Sequence, residues 1–245
     1  MTIAVLTAQS GEAADLKVIS AGAVRGLIAQ IIDDYYRQSG QKFDFTIGTT
    51  GQLRNIIASG QHADLIIVST PLMGELEKTG KLLPGSRADL GRVGIGITVR
   101  EGATTPDVST PEVFRRALIA ARSVAYTDPA EGGTSGIYFA GLAERLGIAD
   151  AIKSKAVLTR GGREAAIEVA EGRAEMAIVF ISESMAVKGV KLAGPLPPPL
   201  QDYSVYAAAI PASSTDAAAA RAFIGALTSA AMAEHWRANG FEPPK

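Results

Sequence analysis

The chain has 245 residues, 47% of them hydrophobic and 20% charged, which suits one large or two modest globular domains and excludes disorder, collagen and coiled coil. A formal net charge of -1 provides no basic field for a nucleic-acid backbone, so nucleic acid is not an expected partner. With no cysteine and only His62 and His235, disulfides, thiolate catalysis, cysteine-based metal sites and a Ser-His-Asp triad lack material, and neither metal nor cofactor is expected.

Residues 1–14 read as an N-terminal extension. They hold a short apolar piece without a basic n-region, too brief for a recognisable signal peptide, and Glu12-Ala13-Ala14-Asp15 fits a mature start. No other stretch is apolar enough to span a bilayer, so no membrane insertion is expected. Leu16 to Ser20 is a strand, Ala21-Gly22-Ala23 a loop of small residues, and Val24 to Arg37 has the helical spacing Leu27, Ile28, Ile31, Ile32, Tyr35. Lys42 to Ile47 is a second strand, Gly48 to Gly51 its loop, and Gln52 to Ser59 a helix ending near Gly60. Ala63 to Val68 is the apolar run of a parallel strand buried on both faces, and the repeated unit makes the fold α/β. A helix at Pro71 to Thr79 and a strand at Gly91 to Val99 follow, and Glu101 to Pro106 breaks the pattern.

Beyond the break, Thr110 caps a helix that opens with Pro111 and runs to about Ala121, and Ser123 to Thr127 is the next strand. A hydroxyl-and-glycine loop, 128–136, precedes the helix Ile137 to Leu146. Ala156 to Leu158 is a short strand, 160–163 a further glycine loop, Glu164 to Glu171 a helix, and Met176 to Ile181 another buried strand. Pro195-Leu196-Pro197-Pro198-Pro199 is a rigid connector. Asp202 to Ile210 alternates as a returning strand, and two alanine-rich helices, 216–229 and 231–238, close the chain. The expected architecture has two lobes of mixed sheet flanked by helices, 15–100 plus 203–245 and an inserted 101–202, joined by strands crossing near Ile97 and Val205.

Ligands in open α/β sheets sit outside the carboxyl ends of strands, so the βα loops of two lobes would face one cleft. Four loops share a chemical theme: 21–23 with Gly22-Ala23, 48–51 with Thr49-Thr50-Gly51, 132–136 with Thr134-Ser135-Gly136, and 161–162 with Gly161-Gly162. Helix-start N–H groups and hydroxyls there can replace the water around an anion, although Thr50 also fits an ordinary helix cap. Arg25, Arg54 and Arg163 each fall in the first turn of an expected helix, where the dipole disfavours a cation by a few tenths to about 1 kcal/mol. Either they point outward into water, or a bound anion accounts for them through bidentate guanidinium contacts.

These stretches carry a resemblance. The chain from Leu16 onward resembles the molybdate-binding-protein type of bacterial solute-binding protein, with the type 2 periplasmic binding fold that serves ABC importers. The matching stretches are 18–23, 48–53 followed by Ala63-Asp64-Leu65, Asp128-Pro129 with Gly136-Ile137-Tyr138, and 163–166 leading to Ile178-Val179-Phe180. The resemblance implies a periplasmic location, with the cytoplasm as the alternative given this N-terminus, and an ABC permease as partner. It also implies an oxyanion cage whose first-loop serine falls on Ala23, whose second falls on Thr50 and whose tyrosine falls on Phe180. Two hydroxyl donors of that cage are absent, each worth roughly 1.5–3 kcal/mol toward a charged ligand. A small di- or tricarboxylate bound by the arginines is therefore the expected ligand.

The family is also similar to aconitate isomerase, which opens an enzyme reading in which the same loops support an allylic proton shift. Candidate bases are Glu131, Asp128, Tyr126 and Tyr203, while His62 lies at the far end of its strand and reads as structural. A structural or interaction module, the third possibility, would leave the cleft without a ligand.

Overall fold

The computed structural model describes residues 15–244, and the expected extension 1–14 lies outside the described residues. Strand β1 (Leu16–Ala21) leads through one 3-10 turn (Gly22–Val24) into α1 (Arg25–Ser39), which buries Leu27, Ile28 and Ile31 and stops at Gly40 in the left-handed region, φ 73°. Next come β2 (Phe43–Gly48), α2 (Thr50–Ala58), β3 (Leu65–Ser69), α3 (Thr70–Lys78) and the long β4 (Ala88–Arg100). The middle of the chain holds α4 (Pro111–Ala120), β5 (Val124–Thr127), α5 (Thr134–Arg145), α6 (Ala149–Lys153), β6 (Ala156–Thr159), α7 (Gly162–Ala170), β7 (Met176–Phe180), α8 (Ile181–Met185) and β8 (Val190–Pro195). The chain then returns as β9 (Tyr203–Ala209), α9 (Ala217–Leu227), α10 (Ala233–Ala238) and β10 (Phe241–Glu242).

Hydrogen bonding orders the main strands β2-β1-β3-β9-β4-β7-β5-β6, with β8 and β10 also pairing β4. β1 runs parallel to β2 and β3, β5 runs parallel to β6 and β7, and β9 and β4 are antiparallel to their neighbours. The two mixed sheets expected from the sequence are thus continuous through one shared strand. Residues 88–94 of β4 pair with β9, and residues 95–99 pair with β7. Ile97 faces Ile178 in the second sheet, whereas Val205 faces Arg92 and stays within the first. The return path is fastened instead by Gln201, whose side-chain amide accepts from Ile95 N–H and donates to Ile95 C=O, both at 2.9 Å, like a short strand laid on β4.

All five residues of β3 and all five of β7 are buried, which explains their near-continuous apolar sequence. The short helices α6 and α8 and the strands β8 and β10 were not expected, being too brief or too weakly alternating to give a period. Three helices start earlier than the apolar spacing suggests: α2 at Thr50 rather than Gln52, α5 at Thr134 rather than Ile137, α7 at Gly162 rather than Glu164. The glycine-and-hydroxyl loops are therefore themselves the first helical turns.

Candidate functional site

A cavity of about 260 Å³ opens at the carboxyl ends of β1, β2, β5 and β7, where Ala21, Gly48, Thr127 and Phe180 reach its wall. That is small beside the ~300–1,000 Å³ of pockets for drug-sized ligands, and suits a compact metabolite. The starts of α1, α2, α5 and α7 surround it through Arg25, Thr50, Thr134 with Ser135, and Gly162 with Arg163. Four helix N-termini bordering one volume give it a positive potential.

Ten of the residues expected to bind a ligand line this cavity: Gly22, Ala23, Arg25, Thr49, Thr50, Thr134, Ser135, Gly162, Arg163 and Phe180. Gly51 and Gly136 do not, because both are consumed by backbone packing. A Cβ on Gly51 would lie 2.7 Å from Gly132 Cα, and its N–H donates to Gly132 C=O at 3.0 Å. A Cβ on Gly136 would lie 2.0 Å from Thr127 C=O, where α5 seats against β5.

Gly51 belongs to a direct contact between the lobes. Thr49 caps α2, accepting from Gln52 N–H at 3.2 Å, and its hydroxyl donates to Glu131 C=O. Gln52 Oε1 accepts from Thr49 N–H at 3.0 Å and its Nε2 donates to the Glu131 carboxylate at 2.7 Å, while Thr50 and Thr134 hydroxyls lie 3.2 Å apart. Glu131, offered above as a base, is thus a cross-lobe tie. The other three candidates also fall outside the wall. Asp128 caps a 3-10 turn through Ala130 N–H, Tyr126 packs edge-on against Phe139 with burial raising its pKa, and Tyr203 lies under the Arg92 guanidinium.

The three arginines divide. Arg54 forms a bidentate pair with Glu75 at 2.9 and 3.0 Å, so its place in α2 is explained without a ligand. Arg25 and Arg163 reach the cavity together with Arg160, and none of the three has a hydrogen-bond or carboxylate partner among the described residues. The Ser135 and Thr127 hydroxyls in the wall are likewise without a hydrogen-bond partner among the described residues.

Besides Arg160, two residues without a distinctive local signal in the sequence complete the site. Tyr206 of β9 is 2% exposed, stands edge-on to Phe180 with ring centroids 6.3 Å apart, and brings a phenol to the wall where Phe180 has none. Burial, helped by the charge of Glu183, raises its pKa, so it stays a donor. Glu183, third residue of α8, accepts from Phe180 N–H at 3.3 Å and from Gly162 N–H. Burial pushes its carboxyl up to about 7, opposed by those two N–H donors and reinforced by nearby Glu164. Its sequence signal was an acid at the third position after a buried strand, the place of an N-terminal helix acid, hidden because the strand was extended to Ile181.

Two lobes around a polar cleft with helix N-termini turned inward define a type 2 periplasmic binding fold. The model of the bacterial extracellular solute-binding protein family matches residues 16–242, and the chain belongs to that family. It is 31% identical over 234 residues to an aconitate isomerase from a Pseudomonas species, covering 93% of this chain and 87% of that one. Its fold matches the periplasmic molybdate-binding protein of Azotobacter vinelandii, with TM-score 0.78 and 19% identity over 94% of this chain and 100% of the other. It also matches the sulfate-binding protein SubI of Mycobacterium tuberculosis, with TM-score 0.72 and 19% identity over 94% and 86%.

Proposed function

We propose that this protein closes on a small organic anion with two or three carboxylates rather than on molybdate, as the ligand-binding component of an ABC-type uptake system in the periplasm. The observation that carries the reading is the trio Arg25, Arg160 and Arg163 on the cavity wall, unpaired among the described residues. Guanidinium forks from both lobes match carboxylates separated along a short carbon skeleton, each able to bind bidentately. Wall hydroxyls of Thr50, Thr134 and Ser135 and the helix-start N–H groups serve the remaining lone pairs. Closure is a rotation of 101–202 against 15–100 plus 203–245 about β4, completed by the contact between Gly51 and Gly132.

Thermal-shift measurements with oxyanions and with di- and tricarboxylates test this. Stabilisation by carboxylates that is lost in Arg25→Met and Arg163→Met is expected; stabilisation by molybdate alone contradicts it.

A second reading, isomerisation of a small unsaturated polycarboxylate, is favoured by Glu183 and Tyr206 inside the same cavity and by the aconitate isomerase relative. Incubation with cis- or trans-aconitate followed by NMR checks it, and absence of interconversion rejects it for those substrates.

A further inference from the structure

We propose that Glu183 is the acid–base residue of this cavity, moving an allylic proton between the two ends of a three-carbon unit in a bound unsaturated polycarboxylate. The inference rests on the isomerase reading above and assigns its missing base.

Position comes first. Glu183 lies where the two lobes meet: a Cβ on Gly22 would stand 3.7 Å from its Oε1, and a Cβ on Gly162 only 1.9 Å from its Oε2. Gly22 starts the turn before α1 and Gly162 starts α7, so the carboxyl is lodged between the helix starts that carry Arg25 and Arg163. Glycine at 162 is what lets the carboxyl occupy that space. Phe180 N–H holds Oε2, Gly162 N–H donates to the same carboxyl, and the oriented group lines the cavity. An ordinary first-turn glutamate faces water; this one faces the same volume as the arginines and the Tyr206 phenol.

The chemistry fits those neighbours. The carboxylate of Glu183 takes a proton from the saturated allylic carbon, whose C–H bonding pair moves into conjugation with the adjacent double bond. The resulting carbanion spreads over the three carbons and onto the flanking carboxylates, whose charge Arg25, Arg160 and Arg163 neutralise. The protonated Glu183 then returns its proton to the far carbon. One C–H bond breaks, one forms, the double bond shifts by one position, and Glu183 ends as it began, so no oxidant, reductant or water is consumed. The phenol of Tyr206 is a donor for a carboxylate oxygen that gains charge. A carboxyl held near neutrality serves both as base and as acid at working pH, and Glu164 beside it adds to that tuning.

The test uses the full chain in D₂O with cis-aconitate, followed by proton NMR, with thermal shift by the same compound as a separate binding readout. Wild type is expected to interconvert cis- and trans-aconitate and to wash deuterium into the allylic position. Glu183→Gln is expected to bind within about threefold of wild type while exchange and interconversion fall by about 100-fold or more, the usual span of an acid–base group. Gly162→Ala, which displaces the carboxyl but leaves it present, should lower exchange and interconversion as well, and melting curves of both variants verify folding. Exchange at the wild-type rate in Glu183→Gln overturns the assignment and leaves the isomerase standing. Wild type that binds cis-aconitate without exchange or interconversion overturns the isomerase reading and the assignment together, while polycarboxylate binding survives.

Discussion

Asp64 and Glu183 are two carboxyls at opposite ends of the sheets, and their surroundings treat them differently. Asp64, 3% exposed just before β3, accepts N–H groups of Lys17, Thr215 and Asp216 at 3.1, 2.9 and 3.2 Å, and hydroxyls of Ser214 and Thr215 at 3.3 and 3.0 Å. Burial alone would raise its pKa, but the donors outweigh burial and hold it below the ordinary aspartate value. Glu183 has two backbone donors, a neighbouring carboxylate and an open face on the cavity, and burial wins. The number of donors around a buried carboxyl thus separates an anchor that stays ionised from a group that can exchange a proton.

Breaking the anchor should have the largest effect. Asp64→Ala leaves three partly buried N–H groups without their acceptor, about 1 kcal/mol each, and a fall in melting temperature of roughly 6 °C or more is expected by calorimetry. At the other end, Arg163→Met or Arg25→Met should leave melting almost unchanged but weaken tricarboxylate binding about 10- to 100-fold in titration calorimetry, the weight of a charge-assisted hydrogen bond. Gly51→Ala places a methyl 2.7 Å from Gly132 Cα and props the lobes apart, so an affinity loss of about tenfold is expected in the same titration.

The pH response sharpens the contrast. Because the folded-state pKa of Glu183 lies above the unfolded value, its contribution to stability is complete below about pH 4.3 and is lost as pH rises through about 7. Wild type should therefore lose melting temperature relative to Glu183→Gln across that window. Asp64 has the opposite sign: its contribution is present above the unfolded pKa and disappears as pH falls through its lowered folded value. The smallest effect belongs to Arg54→Ala, whose exposed pair with Glu75 lies outside the cavity; tricarboxylate affinity should be unchanged.

What could be read from the sequence was whatever has a period or a local stop signal. The buried runs 65–69 and 176–180 and the glycine loops were legible because parallel strands and helix starts leave local marks. Arg25 and Arg163 were conspicuous as cations at helix starts, whereas Arg54, a position further along its helix, more readily faces solvent, and there it pairs with Glu75 of a neighbouring helix. Tyr206 and Glu183 were passed over for a related reason. Tyr206 is one more residue of an alternating strand, and Glu183 one more acid after a strand; only the pairing of β9 between β3 and β4, and the turn of α8 back toward Gly162, bring them to the cavity. Long-range pairing leaves no local signature.

Titration calorimetry of the wild-type protein with cis-aconitate and, separately, with molybdate tests the central claim most directly. Saturable one-site binding of cis-aconitate that is weakened in Arg25→Met and Arg163→Met, with no heat from molybdate, is the expected result. Saturable binding of molybdate with no response to any di- or tricarboxylate, unaffected by those arginine substitutions, would contradict it.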